Sequence, residues 1–267
     1  MATLIIEHSD SAGSDRFGEV LRDYGHRIEI IRVHCGDAVP ADLGRIDAIV
    51  TCGGPQSPVD DEPTWIEPEL KLLRLAHEAS LPVVGICLGC QLLARALGGE
   101  LDRLKCNDAM RHPGAAALDG ESRPESGLEC GWHEVMLTPV GREDPVFAGI
   151  PWKSMQVHWH RYHVATPPEG ARVLARSAGT PVQAWSLGLR TYGIQYHPEE
   201  YVETIDRWAR EEPDALRDVG LTPEALRRDT ERYYASFDRL ARRLFESMAL
   251  LVMPVDRRYG VAKEIHH

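Results

Sequence analysis

The chain has 267 residues, enough for one large or two ordinary domains and for a substantial core. Hydrophobic residues make up 43% and charged residues 27%, a globular mix that argues against disorder. Thirty basic against forty-one acidic side chains leave a formal net charge of −11, which weighs against a nucleic-acid partner because phosphate binding needs clustered cations.

The opening decapeptide has no basic stretch, and Glu7 and Asp10 interrupt its apolar run, so no secretory signal is expected there. The strongest apolar run, 248–253, falls far short of the ~18 residues of a membrane span. A cytoplasmic location without a membrane partner is therefore expected. Cysteines at 35, 52, 87, 90, 106 and 130 are dispersed through a long chain, the pattern of free thiols rather than of a disulfide framework.

In chain order, the runs 3–7, 27–33, 46–51 and 82–86 predict strands, and helical patterns at 14–24, 65–79 and 89–97 alternate with them. The first helix has Ser14 or Asp15 as its candidate cap. The second carries Ile66, Leu70, Leu73 and Ala76 on one face. Such alternation predicts an α/β fold, a mostly parallel sheet flanked by helices. Strands follow at 132–138, 153–159, 171–176, 182–187 and 190–196, with turns at Pro139, Gly141, Pro167-Pro168, Gly179-Thr180-Pro181 and Gly188. From 200 the chain turns helical. The segment 222–250 opens with Thr222-Pro223-Glu224, a cap followed by Pro at the first helical position. Its stripe of Leu226, Tyr233, Phe237, Leu240, Leu244 and Met248 predicts docking on the core. The stretch 103–128 is aperiodic and polar, a plain surface loop or a lid over a site. Residues 254–267 read as a tail.

Residues 85–91 read Gly85-Ile86-Cys87-Leu88-Gly89-Cys90-Gln91: a strand, a cysteine and a helix start, with glycine two residues to either side. This is the cysteine form of a nucleophile elbow. It puts Cys87 at the carboxyl edge of a sheet and at a helix N-terminus, which stabilises an anion. The amide of Leu88 then faces whatever Cys87 attacks. The same residues also read as a C-x-x-C redox pair, as two zinc ligands, or as an ordinary buried cysteine. A second segment, Gly193-Ile194-Gln195-Tyr196-His197-Pro198-Glu199, ends a strand at His197 and lets Glu199 turn back onto the imidazole. Nucleophile, base and orienting carboxylate together make a triad. A third, Thr51-Cys52-Gly53-Gly54-Pro55-Gln56-Ser57, has two glycines that allow backbone to approach a ligand; no Gly-Lys-Ser/Thr follows, so it is not a P-loop. His158, His160 and His163 raise the question of a metal site, but no carboxylate partner is evident and none is expected.

Gly53-Gly54-Pro55, the Cys87 elbow with Leu97-Gly98-Gly99, Gly131-Trp132 and the His197-Pro198-Glu199 segment occur in the order found in class I glutamine amidotransferases. Over about residues 1–210 the chain resembles the triad glutaminase domain of that family, as in GMP synthetase. The resemblance implies a flavodoxin-like amidotransferase fold with an additional smaller antiparallel sheet. It implies an amidotransferase domain over 1–212, with 213–253 as a helical extension packed on it. It implies Cys87 as nucleophile, His197 as base and acid, Glu199 as its orienter, and the Gly54 and Leu88 amides as the oxyanion hole. Gln91, Trp159 and His160 fall where the family holds substrate. Two departures stand out: the link over 100–130 is longer than usual in the family, and Arg161-Tyr162 follows His160.

The expected chemistry is cleavage of the side-chain amide of glutamine, or of another γ-glutamyl amide, through a γ-glutamyl thioester, with no cofactor and no metal. About 70 residues follow the triad, too few for an ATP-using acceptor domain. Ammonia would then pass to a separate synthetase partner. The alternatives are a stand-alone γ-glutamyl hydrolase or peptidase, and a silent binding module with the same fold.

Overall fold

The computed structural model describes residues 2–105 and 127–253; Cys106, most of the 103–128 stretch and the 254–267 tail lie outside them. In chain order the elements are β1 (Ala2–Glu7), α1 (Asp15–Asp23), β2 (Ile28–Arg32), β3 (Ile46–Thr51), α2 (Ile66–Glu78), β4 (Val83–Ile86), α3 (Leu88–Ala96) and β5 (Glu100–Arg103). They continue as β6 (Glu129–Leu137), α4 (Pro139–Glu143), β7 (Lys153–His160), β8 (Tyr162–Thr166), β9 (Arg172–Ser177), β10 (Ala184–Leu187) and β11 (Thr191–Ile194). The helices α5 (Val202–Glu211), α6 (Pro213–Asp218) and α7 (Pro223–Ser247) follow.

Nine strands form one sheet in the order β2-β1-β3-β4-β11-β10-β9-β6-β7. From β2 to β11 neighbours are parallel, and from β11 to β7 they are antiparallel. The strands of the second half thus extend the parallel sheet. The smaller antiparallel sheet is the pair β5–β8.

Successive residues of a strand face opposite ways, so β1 feeds two cores. Ile5 joins Phe17, Val20 and Leu21 of α1 and Leu240, Leu244 and Phe245 of α7. Leu4 and Ile6 join Leu70 and Leu73 of α2 and Leu92 and Leu93 of α3 on the other face. Helices cover both faces, as the βα alternation requires. A third cluster, with Trp132, Val157, Trp208, Leu216, Leu226 and Phe237, fills the space between β6–β7 and the C-terminal helices. None of the helices among the described residues is long and apolar enough to cross a membrane.

The stripe on α7 docks as its spacing predicts. Phe245 stacks on Phe17 at 4.4 Å between ring centroids, and Thr230 accepts a hydrogen bond from the Trp132 indole at 2.9 Å. Pro223 occupies the first turn, and the Thr222 hydroxyl accepts from the Ala225 amide at 3.2 Å. Thr222→Ala is expected to cost about 1 kcal/mol, read as a lower midpoint in urea unfolding. At α1 the expectation is half met: Ser14 holds the cap position but its side chain makes no capping bond.

Candidate active site

Four chain segments converge at the carboxyl edge of the parallel strands, where ligands bind in open α/β sheets. β4 ends at Ile86, and the chain turns into α3 through Cys87, whose φ of 50° is positive for a non-glycine residue. Its amide donates to Ile194 O at 2.8 Å, tying the turn to β11. The flanking glycines are steric requirements. A Cβ on Gly85 would lie 2.5 Å from Gly89 O, and one on Gly89 only 2.1 Å from Thr51 O. Leu88 opens α3, so its amide has no carbonyl behind it within the helix.

His197 follows β11, and its amide donates to Val157 O at 2.9 Å. Its Nδ1 lies 2.7 Å from Glu199 Oε1, with both side chains buried. Glu199 thus turns back onto the imidazole as the spacing allows, and it engages Nδ1 rather than Nε2. A Cβ built on Gly53 would lie 3.1 Å from His197 Cε1 and 3.8 Å from Cys87 Cβ, so the imidazole and the thiol-bearing carbon flank one point of the β3 loop. Burial holds the Glu199 carboxyl well above its usual range, and Glu200 beside it is raised by burial and by Glu199.

These groups border a cavity of about 320 Å3. Gly54, Cys87, Gln91, Trp159, His160 and His197 line it, together with Arg103, Arg161, Tyr162, Trp208 and Glu212. Gln91 Nε2 donates to Tyr162 O at 2.7 Å and to Gln195 Oε1 at 3.1 Å, so its amide nitrogen braces the wall. The Trp159 carbonyl lies 3.9 Å from Cys87 Sγ, while its ring packs on Trp208. His160 Nδ1 meets Tyr162 O at 3.0 Å and Nε2 meets Glu129 Oε2 at 3.1 Å. A carboxylate partner for the histidines therefore exists. Glu129 on β6 faces His160 in register and approaches His158 Nδ1 at 3.6 Å. Sequence separation hid it, and His163 stands apart on β8. Glu129 also accepts from Ser177, Thr180 and Gln183 at 2.6–2.7 Å, which occupies both its oxygens with protein donors.

The dithiol reading of Cys87 and Cys90 finds no support in the packing. Cys90 is fully buried on the opposite face of the sheet, its sulfur 3.2 Å from the Trp185 indole nitrogen, and burial pushes its thiol up to about 12. Burial also raises Cys52 and Cys130 well above the usual thiol range.

Sequence reasoning missed His8 and Glu69. Both are fully buried, and His8 Nε2 lies 2.9 Å from Glu69 Oε2. The other ring nitrogen, Nδ1, lies 3.1 Å from Cys52 O and 3.3 Å from Gly53 O, the two carbonyls leading into Gly54. Thr51 Oγ1 donates to the second Glu69 oxygen at 2.6 Å. Glu69 sits within the apolar stripe of α2, and a carboxylate there is the one available signal. Burial opposes charge on His8, but Glu69 and the two carbonyls outweigh it and raise the imidazole above its ordinary 6.5. A raised pKa stabilises the fold fully below 6.5, and that contribution is lost as pH rises through the higher value. Glu69→Ala should cost about 3–5 kcal/mol at pH 6 by stranding a buried imidazolium. In denaturant unfolding the gap from the parent protein should narrow at pH 9.

A positive-φ cysteine between obligatory glycines stands at the carboxyl edge of an α/β sheet, with a buried His–Glu pair just past the neighbouring strand β11. The chain belongs to the class-I glutamine amidotransferase family, whose profile matches residues 14–208. It is 31% identical over 220 residues to the glutamine amidotransferase-like protein YfeJ of Salmonella typhimurium, covering 81% of this chain and 82% of that one. It is 32% identical over 193 residues to the glutamine-hydrolysing GMP synthase of Aeropyrum pernix. That match covers 70% of this chain and 32% of the synthase, so the chain spans about a third of that relative. Among solved structures, a glutamine amidotransferase from Methylobacillus flagellatus superposes with a TM-score of 0.79 at 25% identity, covering 100% of this chain and 99% of that one. One from Thermotoga maritima gives 0.75 at 23% identity, covering 93% and 97%.

Proposed function

We propose that the protein hydrolyses the side-chain amide of glutamine, or of a closely related γ-glutamyl amide, through a thioester on Cys87. The observation that carries this reading is the 2.7 Å His197–Glu199 pair beside Cys87 at its strained elbow. The Cys87 thiol gives its proton to His197 as Sγ attacks the amide carbon, and the oxyanion is met by the Gly54 and Leu88 amides. His197 gives a proton to the departing nitrogen, which leaves as ammonia. His197 then takes a proton from water, which cleaves the thioester and releases glutamate. Glu199 fixes the imidazole tautomer and balances its charge. Gln91 and the Trp159–His160 strand form the wall against which the amino-acid end of the substrate lies.

Residues 1–212 carry this chemistry, and 213–253 form the extension. Ammonia passes to a separate acceptor enzyme in this reading, by analogy with the glutamine-hydrolysing GMP synthase that the chain resembles.

The test is ammonia release from a panel of glutamine and γ-glutamyl amides, with peptide mapping after treatment with a diazoketone analogue of glutamine. Glutamine turnover with the label at Cys87 is expected. Turnover confined to larger γ-glutamyl amides would move the reading to a stand-alone γ-glutamyl hydrolase. A label at Cys35 with none at Cys87 would overturn it.

A further inference from the structure

Helix α7 lies beyond residue 208, where the family match ends, yet it reaches the loop bearing Glu199 through one buried side chain. Arg16, in the first turn of α1, is fully buried. Its amide donates to Glu199 O at 3.2 Å. Its Nη1 donates to Pro198 O at 2.5 Å and to Glu200 O at 3.1 Å. One residue thereby takes the carbonyls of 198, 199 and 200. On its other side Nη2 donates to the Tyr234 hydroxyl at 2.9 Å and to Asp238 Oδ1 at 2.8 Å, both on α7. The guanidinium lies 4.7 Å from the Tyr201 ring centroid and 5.4 Å from that of Phe237. A buried guanidinium is costly without a counter-ion, and Asp238 supplies one. Arg16, Tyr234 and Asp238 do not line the cavity.

We propose that Arg16, clamped by Asp238 and Tyr234, is a positioning residue for the reaction, and that α7 thereby completes the active site it does not touch. The proposal rests on the reading of Cys87, His197 and Glu199 as the triad. Glu199 reaches His197 from the backbone that Arg16 grips. A misplacement of about 1 Å in such a group can cost about a hundredfold in rate.

The charges around Glu199 give the proposal a second signature. Asp15 and Arg16 face it from α1, Glu200 and His197 from its own loop, and Cys52 from the end of β3, while Arg207 of α5 faces Glu200. Burial raises the Glu199 carboxyl and Arg16 pulls it down. Removing the guanidinium should therefore raise it further and move the acid limb of the rate profile to higher pH. Removing Asp238 should not.

The test uses Arg16→Met, Arg16→Lys, Asp238→Asn and Tyr234→Phe in the full chain. L-glutamine hydrolysis is followed across pH, together with the rate of Cys87 alkylation by the diazoketone analogue, a readout that does not need turnover. Asp238→Asn is expected to lower kcat about tenfold with KM within about twofold. Arg16→Met is expected to lower kcat about a hundredfold and to shift the acid limb upward. Arg16→Lys keeps the charge without the fork, so it should restore the limb but not kcat. Should the Arg16 variants fail to fold, Asp238→Asn and Tyr234→Phe decide alone. A kcat and an alkylation rate within about twofold of the parent in both, with only the melting temperature lowered, would overturn the proposal. Undiminished glutamine hydrolysis by Cys87→Ser would instead remove the triad reading beneath it.

Discussion

Cys87→Ala is expected to lower kcat for glutamine hydrolysis by about 10^4-fold or more, with folding intact. Cys87 is 5% exposed and, among the described residues, its Sγ makes one long hydrogen bond, to the Trp159 carbonyl at 3.9 Å, so its loss strands little. His197→Ala should cost a comparable factor, because in the proposed mechanism the same imidazole serves both half-reactions. Glu199→Gln should cost about a hundredfold less, since it keeps a polar group against Nδ1 and loses only the charge behind it. Steady-state ammonia release for the three variants gives the ranking. Near-parental rates for all three would end the triad assignment.

Gly89→Ala should lose both activity and stability, by about 3 kcal/mol or more. The added carbon would sit 2.1 Å from the Thr51 carbonyl oxygen, and both sides of that contact are backbone. Relief requires β3 and α3 to move apart, although the Gly89 amide is bonded to Cys52 O at 3.0 Å. Gly98→Ala is the control. Its φ is +85° but nothing lies within 4 Å, so only the backbone strain of about 1 kcal/mol is expected. Equal unfolding midpoints for the two variants would contradict this account of the elbow.

The parallel half of the fold was legible because β1, β3 and β4 are largely buried on both faces and read as aliphatic runs between helical stripes, while the edge strand β2, partly exposed, still carries Ile28, Ile30 and Ile31. The Cys87 elbow and the His197-Pro198-Glu199 segment were legible because each keeps its parts within seven residues, where spacing alone places them. β5 and β8 escaped detection: Glu100–Arg103 reads Glu-Leu-Asp-Arg, without the alternation that marks a strand, and β8 carries two polar aromatic positions at its start. The long-range pairs were illegible for a different reason. His8 and Glu69 are 61 residues apart, and Arg16 and Asp238 are 222 apart. Each meets only when the sheet order brings β1, α1, α2 and α7 together, and apart from the carboxylate within the α2 stripe the sequence holds no local trace of that.

The division of the main sheet at β11 has a consequence for how such a protein changes over time. Cys87, Gly54 and His197 all stand at the ends of parallel strands, where glycines and backbone leave no space for new side chains. Trp159, Arg161, Tyr162, Trp208 and Glu212 line the same cavity from β7, its turn into β8, and the helix beyond. On the proposed assignment, selectivity can therefore drift by single substitutions on one side while the bond-breaking apparatus on the other stays fixed. A lineage built on this plan would diversify in what it admits long before it changed what it does.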